Sequence, residues 1–204
     1  MATDTRRPNE QFDTSSLAAF FRGYSQRLAL SLALIDQDAL AHAVKAIESV
    51  GEQGGHIYAI GNGGSAAIAD HLCCDWTKGT VAPGHKPIAT YSLSSNAALY
   101  SAIANDFGFT HVFSRQLDYY GKAGDMLLAI SSSGNSDNII RAVDQAKAIG
   151  MTVVGLTGFS GGRLKALADI ALHVPADNYG VIEDAHQIVM HVIAQFITAR
   201  RQTR

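Results

Sequence analysis

The sequence predicts an α/β fold: one doubly wound domain around a five-stranded, mostly parallel sheet flanked by helices, with an N-terminal helical pair. Three observations carry that expectation. Short apolar runs alternate with longer segments of helical periodicity, the pattern of strands joined by crossover helices. The runs are apolar nearly throughout, as expected when helices cover both faces of a sheet. Finally, 204 residues suit one compact domain, and 47% hydrophobic against 17% charged residues argues against disorder.

Taken in order, residues 1–13 are polar and read as a flexible N-terminus ahead of a single domain over 14–204. From Thr14 onward Leu17, Phe20, Phe21, Tyr24, Leu28, Leu32 and Ile35 recur mostly at spacings of three and four, a helix. Asp36-Gln37-Asp38 breaks the pattern, and a second helix carries Leu40, Val44, Ile47 and Val50. The glycine-rich stretch 51–55 stops it, dividing helices at 14–53 from an α/β core at 55–204. Strands are expected at 56–61, 88–93, 125–131, 151–158 and, more weakly, 170–175. A last helix is expected from about Glu183 to Arg200.

Charge and cysteine content narrow the partners. Sixteen basic and eighteen acidic residues leave a net charge of −2. That is little electrostatic footprint for nucleic acid or an anionic membrane, and neither is expected as a partner. No apolar run approaches the roughly 18 residues of a membrane span, and the first residues lack the apolar core of a signal peptide. Cys73 and Cys74, the only cysteines, form no disulfide framework. They point about 100° apart on a helix and read as small core residues. A soluble, reduced, cytoplasmic protein is expected, and the low charged fraction hints at surface buried against another copy.

Two loops follow strands and open helices: Gly61-Asn62-Gly63-Gly64-Ser65, and Ser131-Ser132-Ser133-Gly134-Asn135-Ser136. Glycine admits close backbone approach, and a helix N-terminus offers free amides and a positive dipole end to an anion. Neither loop has a Walker lysine, which argues against a nucleoside triphosphate. Each alone reads equally as a capped turn. Two of them at strand C-termini mark the edge where doubly wound sheets bind ligands, and their uncharged, serine-rich chemistry suits a phosphorylated small molecule. His71 and Asp75, at i and i+4, share a helical face: a solvated polar pair, a metal-ligand pair, or an acid/base pair. In the last helix Asp184, Gln187 and His191 form a polar stripe amid apolar neighbours.

The motifs GNGGSAAIADH, ANDFGF, ISSSGNS and LTGFSGG, with the Glu183…His191 segment, resemble the sugar isomerase (SIS) domain family in its sedoheptulose 7-phosphate isomerase branch over nearly the whole chain. The resemblance implies an SIS-type fold and conversion of sedoheptulose 7-phosphate to D-glycero-D-manno-heptose 7-phosphate through an enediol, for activated heptose and glycan synthesis. It implies substrate contacts at Asn62, Gly63, Gly64, Ser65, Asp75, Asn105, Asp106 and Glu183, and a phosphate loop at Ser131, Ser132, Ser133 and Ser136. It further implies one Zn2+ per subunit at His71, Asp75, Glu183 and His191, an acid/base pair in Asp75 and His191, and a homotetramer with sites near subunit interfaces.

Two positions depart from the family pattern: Asp75 where Glu is typical, and Glu183 where Gln is typical. The exchange keeps oxygen donors at both places, so the set still suits zinc. It also leaves open a different sugar phosphate, and some family relatives bind the replication initiator without catalysis. Those relatives lose the metal histidines, whereas His71 and His191 are both present. Glu183 and His191 are eight residues apart, about 12 Å along a helix. Either Glu183 precedes the helix proper or the site combines residues of different subunits.

Overall fold

The computed structural model describes residues 12–203. Residues 1–11, most of the expected flexible N-terminus, lie outside them. The elements in order are α1 Leu17–Ala33, α2 Gln37–Gln53, β1 His56–Gly61, α3 Gly64–Gly79, β2 Ala89–Ser92, α4 Ala97–Phe107, a 3-10 turn Phe109–His111, and α5 Ser114–Tyr120. There follow β3 Met126–Ser131, α6 Asp137–Ile149, β4 Thr152–Thr157, α7 Gly162–Leu167, β5 Ile170–His173 and α8 Tyr179–Gln202.

Local chemistry sets the helix boundaries. Ser16 accepts a hydrogen bond from the Ala19 amide to open α1, and the Asp36 carboxylate accepts from Asp38 and Ala39 to open α2. Gly54, with φ 74°, ends α2 in the left-handed conformation that favours glycine. Phe12 packs its ring on Phe20 and Tyr24, with centroids 5.2 and 5.6 Å apart.

All five expected strands form, in the order β2-β1-β3-β4-β5, and every pairing is parallel. The central strands β1, β3 and β4 read as apolar throughout because each feeds two cores by turns. Ile57, Ala59, Met126, Leu128, Val154 and Leu156 face a core closed by α2, α3 and α8. Tyr58, Ile60, Leu127, Ala129 and Val153 face the opposite core, closed by α5, α6 and α7. In this order the chain reverses direction between β1 and β3, and the crevice beyond their C-terminal ends is where such sheets take ligands.

Two expectations change. The last helix begins at Tyr179, capped by the Asn178 side chain, so Glu183 lies inside it rather than before it. Cys74 is exposed, and only Cys73 packs against the core. No helix of the described residues is long and apolar enough to cross a membrane.

Candidate active site

The glycine loop leaves β1 at Gly61, where a Cβ would overlap the Ser65 backbone, so the turn into α3 requires glycine. Gly63 follows with φ 53°. The serine loop leaves β3 at Ser131, one strand away. The two loops are tied by a reciprocal amide pair: Asn62 Nδ2 donates to Asn138 Oδ1 at 3.0 Å, and Asn138 Nδ2 donates to Asn62 Oδ1 at 2.9 Å. Both Asn62 amide groups are therefore engaged in holding the loops together.

Helices α1, α2, α4 and α8 each carry a side-chain cap. Helices α3 and α6, which open at the two loops, do not: Gly63 has no side chain, and the Ser136 hydroxyl makes no capping bond. The Ser65 and Ala66 amides of α3 turn back to the Asn62 and Gly63 carbonyls, and the Ile139 amide of α6 bonds to the Asn138 side chain, while the positive end of each helix still faces the loops. Between them lies a cavity of about 150 Å³ lined by Asn62, Ser65, Ser131, Ser132, Ser133 and Ser136, with Tyr179 at its side. The hydroxyls of Ser131 and Ser133 accept bonds from the amides of Gly134 and Asn135, which leaves their O–H groups to donate to a ligand. Ser132 Oγ is buried without a hydrogen-bond partner. Uncharged donors and two helix dipoles around a small cavity have the chemistry that suits an anionic group.

The second part of the site lies along α3 and α8. Their packing is fixed by Leu72 and by Trp76, fully buried, whose Nε1 donates to the Met190 carbonyl at 3.2 Å. That contact sets His71 and Asp75 of α3 beside His191 of α8. Asp75 Oδ2 is 3.6 Å from His71 Nε2 and 3.4 Å from His191 Nε2. The two rings meet edge-on with centroids 5.0 Å apart. One ligand atom from each residue falls within 4.8 Å of the others, so the trio can hold a metal ion. The 3.4 and 3.6 Å separations are long for hydrogen bonds. They resemble the spacing of about 3.3 Å between neighbouring ligands of a tetrahedral ion with bonds of about 2.0–2.1 Å. Two imidazoles and a carboxylate fit zinc, with a position left for a substrate oxygen.

Glu183 is not in this cluster. It stands two turns up α8, with its carboxylate where a Cβ of Gly64 would be. Burial, and then the neighbouring Asp184, raise its carboxyl above the usual range. Asn105 and Asp106 are exposed at the end of α4, where Asn105 Nδ2 donates to Asp106 Oδ1 at 2.9 Å. They line neither the serine-loop cavity nor the cluster. Sequence reasoning missed Tyr179 and Asn138. It noticed Gln187 without a partner, yet the Gln187 amide sits 3.0 Å from His71 Nδ1 and 3.2 Å from His191 Nε2.

The SIS domain family matches residues 21–158. The phosphoheptose isomerase of Cytophaga hutchinsonii is 43% identical over 162 residues, 79% of this chain and 84% of that protein. The chain belongs to the SIS domain family, in its phosphoheptose isomerase branch. The Mycobacterium bovis phosphoheptose isomerase is 34% identical over 193 residues, 95% of this chain and 94% of the relative. The solved phosphoheptose isomerase of Neisseria gonorrhoeae superposes with a TM-score of 0.82 at 33% identity, covering 90% of this chain and 97% of that one. The SIS fold expected from the motifs and the observed sheet thus agree.

Proposed function

We propose that this chain isomerises sedoheptulose 7-phosphate to D-glycero-D-manno-heptose 7-phosphate, with the phosphate in the serine loop and the reacting carbons at His71, Asp75 and His191. The observation that carries this reading is the pairing of a cavity at the start of α3 with a two-histidine, one-carboxylate cluster built further along α3 and on α8. Seven residues of α3 separate Gly64 from His71, a rise of roughly 10 Å. A seven-carbon chain, with C–C bonds of about 1.5 Å, spans roughly that distance from its phosphate to C1 when extended.

The chemistry transfers a proton from C1 to C2 and the O1 proton to O2, through an enediol. Asp75 faces the two rings through Oδ2, which leaves Oδ1 to take the C1 proton and return it at C2. His71, Asp75 and His191 would hold one zinc ion per subunit, which would supply Lewis acidity toward the carbonyl. His191 Nε2 can ligate or carry the hydroxyl proton, but not both at once, and the cluster's spacing favours ligation. The expected substrate contacts at Asn62, Gly63, Gly64, Ser65, Asn105 and Asp106 remain part of the proposal, as does Glu183 as a contact from α8.

We also propose a homotetramer packed through the N-terminal helices, working in the cytoplasm. Leu17, Phe21 and Leu30 on α1 and Leu34 at its C-cap are exposed, as are Val192 and Phe196 on α8, more apolar surface than isolated residues need explain. The two unpaired cysteines suit a reducing compartment. The test is incubation of the protein with a panel of ketose phosphates, with zinc and after chelation. Aldose phosphate from the seven-carbon ketose alone, lost on chelation, is the expected outcome. Turnover that survives chelation would make His191 the proton carrier, and preference for another ketose would place the Asp75 and Glu183 departures in substrate choice.

A further inference from the structure

We infer that Gln187 is a positioning residue for the metal site: its side-chain amide sets which nitrogen of His71 carries the proton. The inference rests on the metal reading above. It starts from an arrangement that reading does not use. His71 presents its two ring nitrogens to different partners, Nε2 to Asp75 Oδ2 at 3.6 Å and Nδ1 to the Gln187 amide at 3.0 Å. Gln187 and His191 are i and i+4 on α8, as His71 and Asp75 are on α3, so two facing pairs enclose one spot.

The amide has two orientations of nearly the same shape. With Nε2 toward the rings, the amide donates to His71 Nδ1 and to His191 Nε2. His71 then carries its proton on Nε2, directed at Asp75, and cannot ligate through that nitrogen. With Oε1 toward His71, the amide accepts from Nδ1–H, and the His71 Nε2 lone pair is free for an ion shared with Asp75 and His191. The same oxygen would then face His191 Nε2 from 3.2 Å, so the His191 ring must turn its lone pair from the amide to the ion as the ion binds. A ligating histidine is held in this way by an acceptor on its other nitrogen, and loss of such a partner typically costs about 10–100-fold in metal affinity. The amide turn thus links the metal-free and metal-bound arrangements without moving either helix. Glu183 cannot take this part within one chain, because α8 is continuous and about 12 Å of axial rise separates it from His191.

The experiment measures zinc and cobalt affinity by chelator competition in the wild type and in Gln187→Leu, Gln187→Glu and His71→Ala, with circular dichroism to confirm folding. Gln187→Leu keeps the shape and removes the acceptor. It should weaken binding about 10–100-fold while the cobalt absorption bands stay in place, since no ligand is lost. Gln187→Glu, which still accepts from Nδ1–H, should restore affinity to within a few-fold. Wild-type affinity in Gln187→Leu overturns the inference, as does a shift of its cobalt bands, which would make Gln187 a ligand. Full zinc in His71→Ala would instead remove the metal reading on which the inference stands.

Discussion

Replacing Gly64 by Ala separates the fold's needs from those of the site. Gly64 opens α3, and its φ lies outside the left-handed region, so the backbone accepts alanine. Helix propensity then favours the change by up to about 1 kcal/mol. The new methyl, however, would come within 2.7 and 2.9 Å of Glu183 Cδ and Oε1. Ordinary contacts begin near 3.4 Å, so the carboxylate must retreat by roughly 0.5–1 Å. Because it is the end of a flexible side chain, it can do so at little cost to folding. A displacement of that size at a positioned group is worth about 10–100-fold in rate. Gly64→Ala should therefore unfold within about 1 kcal/mol of the wild type and lose about 10–100-fold in kcat/KM, as read by thermal melting and a coupled isomerase assay. Glu183→Ala with Gly64→Ala should be no worse than Glu183→Ala alone, because both act through one carboxylate. Unchanged kcat/KM in Gly64→Ala would refute the reasoning that Glu183 and the bare α3 terminus meet the substrate.

Three further outcomes are expected. Ser133→Ala should weaken binding of the phosphorylated sugar by about 1.5–3 kcal/mol, one lost bond to a charged group, in a calorimetric titration; equal affinity would leave the loop as a helix cap. His71→Ala and His191→Ala should each abolish stoichiometric zinc by metal analysis and cut turnover at least about 10²-fold, and the double variant should be hardly worse than either, as for residues acting as a unit. His186 is fully buried, and that burial lowers its imidazole to about 4, against about 6.5 in an unfolded chain. Folding thus favours the neutral ring, so stability holds above pH 6.5 and falls by roughly 1 kcal/mol per pH unit below it, until the folded value is reached. Urea titrations at pH 7 and 5 should show a smaller acid loss in His186→Gln than in the wild type.

The fold was legible because its signals are local. Five apolar runs bounded by glycine, proline or polar stretches alternate with helical segments as strands of a parallel sheet do, and each formed where expected, the weaker fifth run at the sheet's edge. The loops were legible for a related reason: glycines where a Cβ finds no room, and serines in excess of what a turn needs, stand out in any sequence. The start of α8 was harder to see. Asn178 caps it through a bond from the Val181 amide, but Gly180 interrupts the apolar pattern just inside the first turn. Starting that helix at Glu183 left open an arrangement in which Glu183 precedes it, and the continuous helix from Tyr179 closes that option.

The pairing of α3 with α8 was not legible, and it decides the chemistry. Periodicity places Asp184, Gln187 and His191 on one stripe, yet it does not say which neighbour each one meets. The answer comes from contacts remote in sequence. Trp76 bonds to Met190 and fixes the helices side by side, which brings His191 to Asp75. Tyr24 of α1 donates to Asp184 at 2.6 Å and takes that carboxylate away from the cluster. Gln187, between them, is left to face His71. A stripe that looks uniform along one helix is thus divided three ways by what packs against it. Asp75 reaches both rings with a short side chain for the same reason, since the α3–α8 seam brings them within 3.6 Å of its oxygen.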